Sequence, residues 1–163
     1  MDASDQSSHN QSQRRLPPLL RRAWYGLNQS FRQQIAHSGI TPDQYSVLRW
    51  LAEAQPVGMT QIEITDRMAS DPNTIAAVVR RMEQAGLIRR SQHKRDRRAR
   101  LVQIEPSGLE MFRKLQPIAE ALQAKILSCL SSEEAAQFLQ TLEKISDACF
   151  LQESDIDTGN PSH

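Results

Sequence analysis

Several chemistries are excluded by what this chain lacks. Two cysteines, Cys129 and Cys149, do not make a disulfide framework, and no Cys/His spacing suits zinc. The four histidines, His9, His37, His93 and His163, are scattered along the chain. No nucleophile–base pairing, glycine-rich phosphate loop or metal motif is present, which argues against an enzyme and against a bound cofactor. No run reaches the roughly 18 apolar residues of a membrane span. The N-terminus is polar and has no apolar core of a secretory signal. The expectation is a cytoplasmic protein without a structural metal. Internal repeats are also absent.

The apolar fraction of 39% and mean hydropathy of −0.56 are low for a self-sufficient globule of 163 residues. They suit one helical unit with polar ends, or one that completes its core by pairing. Charge, by contrast, is concentrated. Between Arg80 and Arg100 lie nine basic side chains (Arg80, Arg81, Arg89, Arg90, Lys94, Arg95, Arg97, Arg98, Arg100) against two acids, Glu83 and Asp96. The remainder holds eleven basic and seventeen acidic residues. A nearly neutral chain that gathers its positive charge into one segment points to a polyanion partner.

Residues 1–16 are rich in Ser, Gln, Asn and Asp and read as a disordered tail, as do residues 152–163. From Leu19 to about Ser38, Leu20, Trp24, Leu27, Phe31 and Ile35 recur at helical steps, with Gly39 as a C-cap. Thr41-Pro42-Asp43-Gln44 combines a capping residue, a first-turn proline and a reciprocal cap, and Tyr45, Leu48, Leu51 and Ala52 follow as the buried face. Pro56-Val57-Gly58 ends that helix. Thr60-Gln61-Ile62-Glu63 opens a short helix to about Met68, with Ile64 and Met68 inward. Asp71-Pro72 opens another, with Ile75, Val78, Val79 and Met82 on one face and Gly86 at its end. Two short helices around Ala69-Ser70-Asp71 fit a helix-turn-helix. Leu87-Ile88 and Leu101-Val102-Gln103-Ile104 then bracket the basic run as a hairpin, which makes the module winged. From Pro106, Leu109, Phe112, Leu115, Ile118, Leu122 and Ile126 form a long helix containing Pro117, expected to kink it or remove one backbone bond. Ser131-Ser132-Glu133-Glu134 caps the last helix.

These residues resemble the MarR (multiple antibiotic resistance regulator) family of winged-helix transcription factors. The resemblance is carried by Met59-Thr60-Gln61 with Glu63-Ile64, by Pro72-Asn73-Thr74-Ile75, Val79-Arg80-Arg81-Met82-Glu83 and Ala85-Gly86-Leu87-Ile88-Arg89-Arg90, and by Arg95-Asp96-Arg97-Arg98-Ala99. Gly108 matches the glycine opening the family's next helix. The pair Asp96 and Arg98 is the most specific part, and the match extends over residues 19 to 150. It implies a mainly α fold, a winged helix-turn-helix (three-helix core plus β-hairpin wing, residues 41–105) framed by dimerisation helices at 17–38 and 106–151. It also implies a homodimer on a pseudo-palindromic double-stranded DNA site.

A helix fits the major groove, where its N-terminal residues reach base edges. The outward face here carries Asn73, Thr74, Ala76, Ala77, Arg80, Arg81 and Gln84. At Ala76 and Ala77 the chain departs from the family, in which a hydroxyl residue and often an arginine are common. That leaves methyl contact with thymine, together with Asn73, Thr74 and Arg80, as the specificity set. Arg98 resembles the family arginine that enters the minor groove, and Asp96 its orienting carboxylate. His93, Lys94, Arg95 and Arg97 add positive charge, with phosphate contacts expected from Arg89, Lys94 and Arg97. Thr60 and Gln61 sit where a helix N-terminus can hold another phosphate.

The family also implies a small phenolic or lipophilic effector between the dimer helices and the winged module. Trp24, Tyr25, His37, Tyr45, Arg49 and Trp50 are the candidates, although Trp24 and Trp50 taken singly read as core. Cys129 and Cys149 read as buried, inert thiols. The resulting expectation is a dimeric DNA-binding repressor released by an effector. The alternatives are a ligand-independent or redox-responsive regulator, or a winged module that binds protein.

Overall fold

The computed structural model describes residues 15–92 and 100–156, the last six of these by backbone alone. Two compact units divide the chain, Met1–Leu122 and Gln123–His163.

The first unit begins with α1 (Leu16–Gln34), which has prolines in its first turn. The helix therefore starts one residue inside the segment expected to be disordered. It also stops short of Ser38: a 3-10 turn, Ala36–Ser38, follows it, and Gly39 closes that turn at φ 76°. Next comes α2 (Pro42–Glu53), entered through the expected reciprocal cap. Gln44 N–H donates to Thr41 Oγ1 (3.3 Å), and Thr41 N–H donates to Gln44 Oε1 (2.8 Å). A cap of this kind contributes about 1 kcal/mol. The short strand β1 (Met59–Thr60) leads into α3 (Gln61–Met68) and α4 (Pro72–Gln84). The wing strands are β2 (Ile88–Gln92) and β3 (Arg100–Ile104), followed by α5 (Pro106–Leu127). That helix runs unbroken past Pro117, whose nitrogen has no proton to give it.

The sequence does not announce β1. It pairs with β3 antiparallel, Met59 opposite Val102, so the expected hairpin is a three-stranded sheet in the order β1-β3-β2. Backbone close approach explains the glycine at 58: a Cβ there would lie 2.4 Å from the Val102 carbonyl oxygen. Gly108 is tighter, with a Cβ position 2.1 Å from the Leu87 carbonyl oxygen. The start of α5 can seat against the Gly86-Leu87 turn because residue 108 has no side chain. Ser107 Oγ reinforces the joint by donating to the Gly86 carbonyl at 2.6 Å.

The core of the winged module gathers Val47, Leu48 and Leu51 of α2, Ile64 of α3, Ile75, Val79 and Met82 of α4, and Ile88 and Val102 of the sheet. Each is no more than 2% exposed. A second cluster joins Phe31 of α1 and Ile35 at its C-cap to Tyr45, Leu115 and Leu122. Tyr45 lies edge-on to Phe31 (ring centroids 4.9 Å apart) and stacks on Phe112 (5.8 Å). These are geometries that aromatic quadrupoles favour.

The second unit holds the end of α5 and α6 (Ser132–Ile156). Ser131 and Glu134 form the expected cap, N–H to carboxylate at 2.8 Å and N–H to hydroxyl at 3.3 Å. The helix continues through Ile156, so residues 152–156 of the segment expected to be disordered are helical. Cys129 and Cys149 are exposed, not buried. Cys129 lies in the turn between α5 and α6, and among the described residues α6, which carries Cys149, buries none.

Candidate nucleic-acid interface

The helix α4 is built to present one face. Ile75, Val78, Val79 and Met82, spaced three and four apart, are buried, which fixes its rotation about its own axis. Asn73, Thr74, Arg80, Arg81 and Gln84 are consequently exposed, and Ala76 and Ala77 half-buried beside them. Asp71 caps the helix: its Oδ1 accepts from Asn73 N–H (3.0 Å) and Thr74 N–H (2.9 Å). Its Oδ2 accepts from the Thr74 hydroxyl. The hydroxyl bond first, then the backbone bonds, hold the Asp71 carboxyl below its ordinary range. No ion pair involves Arg80 or Arg81 among the described residues, and both side chains lie on the exposed face of α4.

The base of the wing is tied to α4 by a different device. Ile88, Arg90 and Val102 share one face of the sheet, since side chains alternate along a strand and Arg90 pairs with Val102. Ile88 and Val102 enter the core from that face, whereas Arg90, at its edge, reaches the end of α4. Its Nε donates to Glu83 Oε2 at 2.8 Å, Nη2 donates to the same oxygen, and its backbone N–H donates to Glu83 Oε1 at 3.2 Å. Arg90 holds the Glu83 carboxyl below the usual glutamate range, chiefly through its side-chain hydrogen bonds, and the charge of Arg100 adds to this. Arg89 points to the opposite face and pairs with Glu105 at 3.2 Å. Four of the nine basic residues in the charged segment thus sort into two kinds: Arg80 and Arg81 without an ion pair among the described residues, Arg89 and Arg90 engaged within the fold.

Two residues expected at phosphate have partners within the fold. Arg89, expected at phosphate, is held by Glu105. Thr60, expected to help hold a phosphate at the start of α3, is already committed. Its N–H and hydroxyl donate to Glu63 Oε2 (2.6 and 2.9 Å), and Glu63 N–H donates back to its hydroxyl (3.2 Å). The Glu63 carboxylate places negative charge at that N-terminus, where it opposes a phosphate. Gln61 is half-buried beside it. His93, Lys94, Arg95, Asp96, Arg97 and Arg98, the segment joining β2 to β3, lie outside the described residues.

The six effector candidates differ in burial and in partners. Tyr45 is buried, and burial raises its phenol above its ordinary value of 10.0. Arg49 pairs with Glu53 at 3.0 Å and lies 6.0 Å from the Trp50 ring. The Trp50 ring also carries Arg67 at 5.0 Å, a cation–π contact that sequence reasoning missed. Trp50 packs on the core as expected of it. Trp24 does not: it is 61% exposed and Tyr25 67% exposed. His37 is exposed on the 3-10 turn.

With the geometry of α3, α4 and the wing strands in place, likeness to known proteins decides the family. The MarR family profile matches residues 40–99. The transcriptional regulator HosA of Escherichia coli O111:H- is 30% identical over 135 residues, covering 80% of this chain and 98% of that protein. The chain belongs to the MarR family of transcriptional regulators. Among other members, the transcriptional repressor MdtR of Bacillus subtilis is 28% identical over 121 residues, 74% of this chain and 77% of that one. The structure of Bordetella bronchiseptica BpsR, described with a mechanism for regulation of its DNA binding by 6-hydroxynicotinic acid, superposes with a TM-score of 0.75. It is 28% identical and covers 82% of this chain and 94% of that one. For this MarR-family chain, the matched profile takes in α3, α4 and the sequence as far as Ala99, the part that carries Arg80 and Arg81.

Proposed function

We propose that this protein is a dimeric, sequence-specific DNA-binding repressor of the cytoplasm, released from its operator by a small phenolic or lipophilic effector. The observation that carries the reading is α4. It is a helix rolled by its buried face so that Asn73, Thr74, Arg80 and Arg81 stand outward with neither arginine ion-paired among the described residues. In the major groove that face sets Asn73, Thr74, Ala77 and Arg80 against base edges and Arg81 against phosphate. The segment His93–Arg98 brings Lys94, Arg95 and Arg97 to the backbone and Arg98, oriented by Asp96, to the minor groove. Repression and effector release are supported by the likeness to MdtR and BpsR. The framing helices, residues 17–38 and 106–151, supply the dimer contact, which places two α4 helices about one DNA turn apart on a pseudo-palindrome. Trp24, Tyr25, His37, Tyr45, Arg49 and Trp50 lie on or beside those helices, where a ligand would shift the spacing between the two wings.

The test is a gel shift with duplexes selected from a random library, repeated at rising salt. The expected result is tight binding that weakens steeply with salt and is largely lost in Arg98→Ala. Binding indifferent to salt and to Arg98 would favour the alternative of a winged module that docks on protein. For the effector arm, 6-hydroxynicotinic acid and simple phenolic acids are the first probes, read as loss of the shifted band.

A further inference from the structure

The start of α4 holds a hydrogen-bond arrangement with a consequence for base reading. A threonine hydroxyl has one proton to give and two lone pairs to receive. Thr74 is exposed on the outward face, and its hydroxyl lies against Asp71 Oδ2. Asp71 Oδ1 is meanwhile occupied by the N–H groups of Asn73 and Thr74. An ionised carboxylate only accepts, so the hydroxyl proton belongs to this bond. The same contacts hold the Asp71 carboxyl below its ordinary range, which keeps it ionised at neutral pH. Thr74 therefore turns lone pairs, and no proton, toward whatever α4 meets. In the major groove the donors are the N6 amino group of adenine and the N4 amino group of cytosine, whereas guanine N7 and O6 and thymine O4 accept.

We propose that Asp71 is a positioning residue that sets the hydrogen-bond polarity of Thr74, making it an acceptor-only reader selective for a base amino group. The inference rests on α4 being the DNA-reading helix, and it assigns Asp71 a role beyond capping. The variant Asp71→Asn separates the two roles, because asparagine caps a helix about as well as aspartate does. The amide oxygen of the introduced side chain would serve the two backbone N–H groups and leave its NH2 facing Thr74. That amide donates, so the Thr74 hydroxyl would accept from it and free its own proton outward.

Duplexes enriched from a random library by the wild-type protein supply the probes. Each adenine is replaced in turn by purine, and each cytosine by 2-pyrimidinone, to delete one amino group. The wild type should lose affinity about three- to tenfold at one base pair per half-site, the scale of a single hydrogen bond. Thr74→Ser should keep that sensitivity, and Thr74→Val should lose it. Asp71→Asn should still bind duplex DNA but be indifferent to that deletion. Asp71→Asn retaining the wild-type sensitivity would overturn the polarity argument, as would a wild type indifferent to every amino deletion. Should Asp71→Asn fail to fold, the contrast between Thr74→Val and wild type still decides whether Thr74 reads an amino group. Failure to enrich any duplex would overturn the DNA-binding reading itself, and this one with it. Enrichment without amino-group dependence would overturn this one alone.

Discussion

Two helices of this molecule, α1 and α4, carry the same kind of apolar stripe and meet different fates. In α4 the stripe of Ile75, Val78, Val79 and Met82 is at most 9% exposed, covered by α2, α3 and the sheet. In α1 only Phe31 of the stripe is covered, with Ile35 just past its end, whereas Leu16, Leu19, Leu20, Trp24 and Leu27 range from 38% to 61% exposed. Periodicity alone says which face of a helix is apolar and nothing about what lies against it. An apolar face closed by the same chain is core and fixes orientation. One left open on consecutive turns is a surface that water tolerates poorly, and here it fits the dimer contact proposed for the framing helices.

That contrast can be broken from either side. The largest effect should come from the closed face: Ile75→Ala removes a side chain 1% exposed and should cost about 2–5 kcal/mol, measured by urea denaturation. A cost under about 1 kcal/mol would mean that α4 is not fixed by its core. On the open face, Leu20→Gln with Trp24→Gln should leave the winged module folded by circular dichroism but shift the protein toward monomer in sedimentation. Unchanged association would remove α1 from the dimer contact.

The difference also marks how far the sequence was readable. The reciprocal caps at Thr41, Thr60 and Ser131 were legible because both partners lie within four residues, and such local bonds form wherever the helix does. The register of α4 was legible for the same reason: four apolar residues on a 3.6 period leave one solution. Long-range partners were not. Arg90 looked like one more cation in a basic run, and only the alternation of β2, which carries it to the face shared with Ile88, brings it to Glu83. The pairing of Arg89 with Glu105 was hidden in the same way. The strand β1 was hidden because two residues carry no period, and its existence rests on pairing with β3, far along the chain. The exposure of Trp24, Cys129 and Cys149 departed from expectation because burial depends on a covering surface that the local pattern does not contain.

A smaller effect tests the link between α4 and the wing. The Glu83 carboxyl is depressed by Arg90, so its contribution to folding is present above the ordinary glutamate pKa of 4.5. It is lost as pH falls through the lower folded value. The difference in thermal midpoint between wild type and Glu83→Gln should be constant near neutrality and shrink below about pH 4. A difference that grows on acidification would show that the pair does not stabilise the ionised form.

If the polar face of α4 reads bases and the basic segment after β2 binds the DNA backbone, the salt dependence of operator affinity should differ between two variants. Lys94→Ala should weaken binding to all duplexes alike and reduce the slope of log affinity against log salt by about one. Asn73→Ala should leave the slope unchanged and alter which duplexes are preferred. Equal slopes and equal losses from both variants would contradict it.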